Sequence, residues 1–281
     1  MATAVKISVS PITVNVGAII DGPDLARQLA PDEVAAITQA LLDHGVVFFR
    51  GQTLSDTQMG DFVANFGQPI PEPFANAMAA SVEPVSTGDL GRSKQSTAVW
   101  HTDTTFVPEP PGLTALRAVE LPDRGGDTCW ASMYAAYEAL SEPMRQFLDG
   151  LSAAHSMLPT LQRMGAAIAG EHAVNKDVYA LHYVHPLVRV HPVSGRKALY
   201  FSEAGVTHIP DLSQAESDHV VALLREHCKS PDFAMRWRWE PDDVALWDNR
   251  CVQHYAVPDY RGSRVMQRVV TAGEKPAGPR G

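Results

Sequence analysis

Cysteine is scarce in this sequence, and its scarcity narrows the possible kinds of protein. Only three of the 281 residues are cysteines, and no two of them have the CxxC spacing of a redox or zinc motif. We therefore expect reduced thiols rather than a disulfide framework or a thiolate metal site. One use for a thiol stays open on sequence alone, a nucleophilic pair of Cys251 with His254.

Positive charge and long apolar runs are also in short supply. Lysine and arginine total 23 against 32 acidic residues, a formal net charge of -9. This excess of negative charge argues against a nucleic-acid partner or an anionic membrane surface, so an anion site would need a local group of arginines. No stretch approaches the roughly 20 apolar residues of a membrane span, and the first residues do not resemble a signal peptide. We expect a cytoplasmic protein.

What the sequence does contain is a series of short strand patterns with a few helices among them. Alternating apolar and polar residues predict strands at 12–16 and 233–239, and an apolar run predicts a buried strand at 46–49. Capping boxes predict helices that begin after Ser55 and Ser213. The pattern predicts a mainly β protein, a jelly roll with helical additions, in one domain over residues 1–281.

Two segments show no clear periodicity and are candidate lids over a site. Residues 68–98 contain several prolines, and residues 156–180 are rich in alanine, glycine and methionine.

Three residues have the chemistry of a metal site. His101 and Asp103 are two apart, so in an extended chain their side chains point to the same face. With His254 they would form a set of two imidazoles and one carboxylate, which is typical of non-haem Fe(II) sites with open coordination positions. Each motif alone also fits an ordinary hydrogen-bonded loop, and it is their combination that favours a metal.

Two arginines follow His254 in the predicted last strand. Arg264 and Arg268 are four apart and should share a face. Two guanidinium groups on one inward face repel each other unless anions lie between them, and arginine suits carboxylates because it can bind them with two hydrogen bonds. The alternative is a pair of solvated arginines on an edge strand.

At these residues the chain resembles the taurine dioxygenase family of Fe(II)/2-oxoglutarate-dependent dioxygenases, which includes alkylsulfatase and aryloxyalkanoate dioxygenase relatives. Ordered matches cover nearly the whole chain. They are Val46-Val47-Phe48-Phe49-Arg50, Trp100-His101-Thr102-Asp103-Thr104-Thr105-Phe106, Gly125-Gly126-Asp127-Thr128, His185-Pro186-Leu187-Val188-Arg189-Val190-His191-Pro192, Arg236-Trp237-Arg238-Trp239, Trp247-Asp248-Asn249-Arg250 and Gln253-His254-Tyr255.

The resemblance implies a double-stranded β-helix and a role for each matching residue. His101, Asp103 and His254 match the iron ligands, and Thr128 and Arg264 match the residues that hold the distal carboxylate of 2-oxoglutarate. Residue Arg268 matches the arginine that receives the acidic group of the substrate. The implied reaction hydroxylates a C–H bond of a small, anionic organic substrate (a sulfonate, sulfate ester or carboxylate) with O2, and releases succinate and CO2.

Four pocket positions depart from taurine dioxygenase and argue against taurine as the substrate. Glu72 replaces a histidine, Ala75 a tyrosine, Thr97 an asparagine and Gly205 a phenylalanine. These changes remove polar contacts to a sulfonate and open space. Glu72 would either pair with Arg268 or recognise an amine of the substrate.

Two other functions stay open on sequence alone. One is an oxygenase of the same superfamily that acts on a neutral or amine-bearing substrate, and the other is a jelly-roll binding protein without catalysis. In either case the partner is a small molecule. The resemblance also implies a homo-oligomer, a dimer or a tetramer.

Overall fold

The computed structural model describes residues 7–70, 85–86, 98–164 and 182–280. Within these ranges the chain is mostly strands with helices between them. The strands are β1 (Ser8–Pro11), β2 (Ala18–Asp21), β3 (Val46–Phe49), β4 (Pro69–Ile70), β5 (Val85–Ser86), β6 (Leu113–Glu120), β7 (Thr128–Ser132), β8 (Ser152–Ser156), β9 (His182–Pro186), β10 (Val188–Val190), β11 (Lys197–Leu199), β12 (Val206–His208), β13 (Ala234–Trp237), β14 (Val244–Asp248), β15 (Val252–Ala256) and β16 (Val265–Thr271). The helices are α1 (Pro31–His44), α2 (Asp56–Ala64), α3 (Met133–Glu138), α4 (Glu142–Leu148), α5 (Leu158–Met164) and α6 (Gln214–His227).

Strands from both ends of the chain meet in one sheet. Among the described residues its order is β1-β2-β3-β14-β6-β16-β4, and β5 also pairs with β16. A smaller sheet has the order β13-β7-β15, and all of its pairings are antiparallel. Two further small sheets, β12-β8-β9 and β10-β11, complete the strand arrangement.

Strand β3 shows why the large sheet is buried on both faces. Val46 and Phe48 belong to one apolar cluster, whereas Val47 and Phe49 belong to another. Side chains alternate between the faces of a strand, so an unbroken apolar run requires a packed layer on each side. One layer is made by helices α1 and α2, whose buried residues share a cluster with Val47 and Phe49.

The other layer is the small sheet, and aromatic rings fill the space between the sheets. Phe48 of β3 stacks on Trp237 of β13, with ring centroids 4.0 Å apart. It also meets Trp130 of β7 edge-on at 5.2 Å, and Trp130 contacts Trp247 of β14 at 5.6 Å. Large aromatic side chains supply much of the buried apolar area, so this packing holds the two sheets face to face.

The structure confirms the two helix starts predicted from capping boxes. The Ser55 Oγ accepts from the backbone N–H of Gln58, and the Gln58 side chain accepts from the Ser55 N–H. At the start of α6 the Glu216 carboxylate accepts from the N–H of Ser213. These contacts satisfy backbone donors that have no partner within a helix.

The prediction of a strand at 12–16 is wrong. These residues form the turn between β1 and β2, where the Thr13 hydroxyl accepts from the backbone N–H of Val16 at 3.0 Å. Gly17, with φ of 87°, closes the turn by accepting at its carbonyl from Ile12. Threonine side chains compete in this way with the hydrogen bonds of a sheet.

Candidate metal centre and its arginines

The backbone brings His101 and His254 side by side. They form an isolated antiparallel bridge in which each N–H donates to the other residue's carbonyl, at 2.9 and 2.8 Å. The imidazole centroids are consequently 4.0 Å apart. Strand β15, which carries His254, in turn pairs with β7 so that His254 lies opposite Trp130. The 152 residues between the histidines are therefore no obstacle to a shared site.

Asp103 completes the group from the segment that follows His101. Its Oδ1 lies 3.9 Å from His101 Nε2 and 3.6 Å from His254 Nε2. Among the described residues, this is the group of three that could hold a metal ion, with ligand atoms all within 4.8 Å of one another. Asp103 and His254 are buried, and His101 is half-buried.

A chain of hydrogen bonds fixes the orientation of the Asp103 carboxylate. The Thr114 hydroxyl donates to Asp103 Oδ2 at 2.7 Å, and Asn249 Nδ2 donates to the Thr114 hydroxyl at 2.8 Å. Asn249 is held in turn by Trp247 Nε1, which donates to its Oδ1 at 3.0 Å. With Oδ2 engaged in this way, Oδ1 is the oxygen that faces the two imidazoles.

The surroundings place these groups in the protonation states that metal ligands need. Burial lowers the pKa of His101, and it lowers the pKa of His254 to about 3, so both imidazoles are neutral at pH 7. Burial by itself would raise the pKa of Asp103. At the acid pH where this carboxyl takes up its proton, the charges of His254, Arg268 and His101 and the Thr114 hydrogen bond instead lower its pKa to about 2. A charged carboxylate beside two neutral imidazoles is the form that binds a cation.

The residues fit a divalent transition metal. His101 Nδ1 donates to the carbonyl of Val99 at 2.8 Å, which leaves the lone pair on Nε2, the nitrogen nearer Asp103. With metal–ligand bonds of about 2.1 Å, one ion can bond two atoms up to about 4 Å apart, and both Nε2–Oδ1 distances fall within that limit. Imidazole and carboxylate ligands without a thiolate suit Fe(II).

Arg264 lies beside Thr128, as the sequence resemblance predicts for a 2-oxoglutarate site. Arg264 Nε donates to the carbonyl of Gly126 at 2.9 Å, and Nη2 lies 3.3 Å from the Thr128 hydroxyl. The same hydroxyl accepts from Trp239 Nε1 at 3.0 Å. Thr128 is two residues along β7 from Trp130, the partner of His254. Thr128 therefore lies on the strand next to the one that carries the histidine, and the Arg264 side chain contacts it there.

The Gly125-Gly126 turn is shaped by its contact with the segment before Arg264. Both glycines have φ of 74°, a conformation that other residues rarely adopt. A Cβ at Gly126 would lie 3.0 Å from Arg264 Cδ, and one at Gly125 would lie 2.6 Å from the Asp259 carbonyl oxygen. The turn therefore needs glycine for its conformation and for the close approach of Arg264.

Arg268 points to the metal group. Its Nη1 lies 3.5 Å from Asp103 Oδ1, and its side chain is 28% exposed, whereas Arg264 is buried. Arg264 lies one residue before β16 begins, and the pairing of β16 with β6 shifts register between Val265 and Met266. The two arginines consequently contact different parts of the site, Thr128 and Asp103.

The remaining predicted pocket residues are only partly covered. Glu72 and Thr97, with most of the candidate lid segments 68–98 and 156–180, lie outside the described residues. Gly205 is buried, and a Cβ there would lie 3.1 Å from the Thr105 hydroxyl oxygen.

The thiol alternative has no support in the geometry. Cys251 is buried and its thiol lies 3.7 Å from the Asp248 carbonyl oxygen. Burial raises the pKa of Cys251 far above its ordinary value, so the group stays a thiol and not the nucleophilic thiolate.

Sequence reasoning missed the residues that support the ligands. Nothing local to Thr114 pointed to the site, because its partner Asp103 lies in a turn before β6. Trp239 lay in a segment quoted for the resemblance, but its contact with Thr128 of β7 became visible only in the structure. Asn249 lay in a segment quoted for the resemblance, but its role became visible only through its hydrogen bond to Thr114.

Comparison with known proteins places these features in a family context. Residues 8–270 match the model described as "Taurine catabolism dioxygenase TauD, TfdA family". The chain is 39% identical to the alpha-ketoglutarate-dependent sulfate ester dioxygenase of Pseudomonas putida, over 98% of this chain and 92% of that protein. It is 36% identical to the alkylsulfatase of Acinetobacter baylyi (strain ATCC 33305 / BD413 / ADP1), over 98% and 88%.

The comparison with solved structures confirms the jelly-roll prediction. The crystal structure of a taurine dioxygenase from Burkholderia xenovorans superimposes with a TM-score of 0.81 at 37% identity, covering 98% of this chain and 94% of the other. In the part of the chain that the structure describes, no helix has the length and apolar character needed to cross a membrane.

Proposed function

Since this chain belongs to the TauD/TfdA family of 2-oxoglutarate-dependent dioxygenases, we propose that it hydroxylates a C–H bond of a small organic sulfate ester, sulfonate or carboxylate. The family membership inferred from the sequence motifs is confirmed by the family model. The enzyme class and the cosubstrates, 2-oxoglutarate and O2 with Fe(II), follow from that membership.

The convergence of His101, Asp103 and His254 is the observation that carries the proposal. We propose that these three residues hold the iron, and that Arg264 and the Thr128 hydroxyl hold the distal carboxylate of 2-oxoglutarate. When bound, iron and 2-oxoglutarate supply the oxidation of the substrate by O2, with succinate and CO2 as co-products. The protein's own part is to orient these groups, as Thr114 does for Asp103.

The proposal of an acidic substrate rests on the positive charge of the site's arginines and on the names of the relatives. Arg268 brings a second guanidinium group to the site in a chain whose net charge is -9. The relatives from Pseudomonas putida and Acinetobacter baylyi are named for activity on sulfate esters, and a sulfate ester is therefore our first candidate. Glu72, Thr97 and Gly205 differ from the taurine pocket, so we do not propose taurine.

A succinate-release assay tests this function. Purified protein with Fe(II), 2-oxoglutarate and O2 would be supplied with alkyl sulfates, alkanesulfonates, aryloxyalkanoates, amino acids, neutral alcohols and alkylamines. We expect an acidic compound to stimulate succinate release, and the Asp103→Asn variant to abolish it. Asp43→Asn is the matched control, because Asp43 is an exposed residue of α1 that contacts Gln39.

Stimulation by a neutral alcohol or an amine alone would show that the substrate class is wrong. Absence of succinate release with every compound, despite tight Fe(II) binding, would favour a binding protein instead.

We also propose one domain over residues 1–281. The support is that β1, near the start, and β16, near the end, lie in the same sheet. The homo-oligomer and the cytoplasmic location remain predictions from the sequence.

A further inference from the structure

Arg264 lies at the end of a connection that belongs to no helix or strand. Residues 257–264 join β15 to β16, and none of them has regular secondary structure. Arg261 and Gly262 are exposed, whereas Arg264 is buried. Connections of this kind are generally more mobile than the elements they join. The position of the Arg264 guanidinium therefore depends on the contacts that tie this connection to the rest of the protein.

Gly126 contacts the connection at two places. Its N–H donates to Asp259 Oδ1 at 3.0 Å, and its carbonyl accepts from Arg264 Nε at 2.9 Å. Gly126 lies two residues before Thr128, whose hydroxyl is 3.3 Å from Arg264 Nη2. One glycine thus ties Asp259 and Arg264, five residues apart in the chain, to the start of β7.

Arg236 of β13 orients the Asp259 carboxylate. Its Nη2 donates to Asp259 Oδ2 at 2.8 Å, and its Nε donates to Asp127 Oδ2 at 2.6 Å. With Oδ2 engaged in this way, Oδ1 is the Asp259 oxygen that faces Gly126. The Asp127 carbonyl in turn accepts from the N–H of Val257 at 2.9 Å, at the start of the same connection.

The two contacts of the Asp259 carboxylate should contribute unequally. The side chains of Arg236 and Asp259 are 49% and 46% exposed, and ion pairs in water contribute little because the solvent screens them. Gly126 is buried, and its N–H would lose this acceptor if Asp259 were shortened. A buried donor without a partner is unfavourable, so the turn would shift and the carbonyl that holds Arg264 would move with it.

We propose that Asp259 is a positioning residue for the distal carboxylate of 2-oxoglutarate, and that it acts through Gly126. Its carboxylate holds the Gly126 N–H, and Gly126 holds Arg264 against Thr128. This inference rests on the proposed function, since it requires that Arg264 and Thr128 bind that distal carboxylate.

Titration with two related 2-oxo acids separates this role from general support of the fold. Protein loaded anaerobically with Fe(II) would be titrated with 2-oxoglutarate and with 2-oxopentanoate, which carries a methyl group in place of the distal carboxylate. The visible charge-transfer band of the iron chelate reports the binding of either acid, and calorimetry gives the Fe(II) affinity.

The variants are Asp259→Ala and Asp259→Asn, with Arg264→Ala for comparison. Glu138→Ala is the matched control. Glu138, at the end of α3, pairs with Arg196 at the same 2.8 Å, and the two side chains are 55% and 41% exposed.

We expect Asp259→Ala to raise the dissociation constant of 2-oxoglutarate at least about fivefold, as the loss of one hydrogen bond would. The dissociation constants of 2-oxopentanoate and Fe(II) should stay within about twofold, since neither contact involves the distal carboxylate. Asp259→Asn should lie nearer to wild type, because its amide oxygen can still accept from Gly126. Glu138→Ala should match wild type.

Four results would overturn the proposal, and they differ in what they imply. Equal weakening of both acids, or of Fe(II), in Asp259→Ala would indicate general damage to the site. Equal loss of 2-oxoglutarate binding in Asp259→Ala and Asp259→Asn would refute the route through Gly126. Unchanged 2-oxoglutarate binding in Asp259→Ala, with a clear loss in Arg264→Ala, would refute the role of Asp259 and leave the proposed function intact. If wild-type protein that binds Fe(II) gives no band with 2-oxoglutarate, the proposed function fails as well.

Discussion

Thr114→Val should weaken the metal site without touching a ligand. Thr114 is fully buried between Asn249, from which it accepts, and Asp103, to which it donates. Valine has nearly the same shape as threonine but lacks the hydroxyl. The substitution therefore removes both hydrogen bonds while leaving no large cavity.

The expected magnitude follows from the two groups that lose their partner. A buried polar group left unsatisfied costs roughly 1–3 kcal/mol, and here Asp103 Oδ2 and Asn249 Nδ2 are both affected. The free energy of unfolding of the metal-free protein should thus fall by roughly 2–6 kcal/mol. Metal affinity should fall by about 10–100-fold, as is typical when a residue that orients a ligand is changed.

Anaerobic calorimetric titration with Fe(II), together with chemical denaturation of the metal-free protein, measures both quantities. Thr114→Ser keeps the hydroxyl and should stay near wild type in Fe(II) affinity. A second control is Thr207→Val, which removes a hydroxyl that contacts the carbonyl of Ala154. Wild-type Fe(II) affinity in Thr114→Val would refute the assignment of Thr114 as the residue that orients Asp103.

Further expectations concern the 2-oxoglutarate residues and the pH dependence of stability. Gly126→Ala should raise the KM for 2-oxoglutarate about tenfold or more, because a Cβ there meets Arg264 at 3.0 Å and φ is 74°; an unchanged KM would contradict this. Trp239→Phe removes the hydrogen bond to Thr128 and should raise the same KM severalfold, with little effect on Fe(II) affinity in a titration. Burial lowers the pKa of His155 to about 3. Below pH 6.5 the unfolded chain therefore binds a proton that the folded chain does not. The free energy of unfolding consequently falls as the pH falls from 6.5 towards 3. His155→Gln should make the fall in unfolding free energy with pH shallower by about 1.4 kcal/mol per pH unit over that interval, and an unchanged slope in denaturation curves would count against it.

The parts of the fold that sequence could predict are those with local signals. The apolar run at Val46–Phe49 predicted a buried strand, and the Ser55 and Ser213 capping boxes predicted helix starts. Residues 12–16 alternate like a strand, yet a threonine hydroxyl makes them a turn. Strand β15, which carries His254, was not predicted, because its identity depends on pairing with β7 and not on its own pattern.

The candidate site shows the same division. The sequence predicted the metal group from the two-residue spacing of His101 and Asp103 and from the resemblance at His254. The structure brings these three residues together. Thr114 could not be found in that way. It reaches the site through a hydrogen bond to Asp103, 11 positions away in the chain, and such a contact leaves no pattern in the sequence.

An anaerobic spectrum is the most direct test of the iron and 2-oxoglutarate site. Fe(II) and then 2-oxoglutarate would be added to metal-free protein, and the weak visible charge-transfer band of the iron–2-oxoglutarate chelate would be recorded for wild type and for Arg264→Ala. We expect a band in wild type that is weaker, or requires more 2-oxoglutarate, in the variant. No band in wild-type protein that binds Fe(II) would contradict the assignment of His101, Asp103 and His254 as the iron site of a 2-oxoglutarate-dependent dioxygenase.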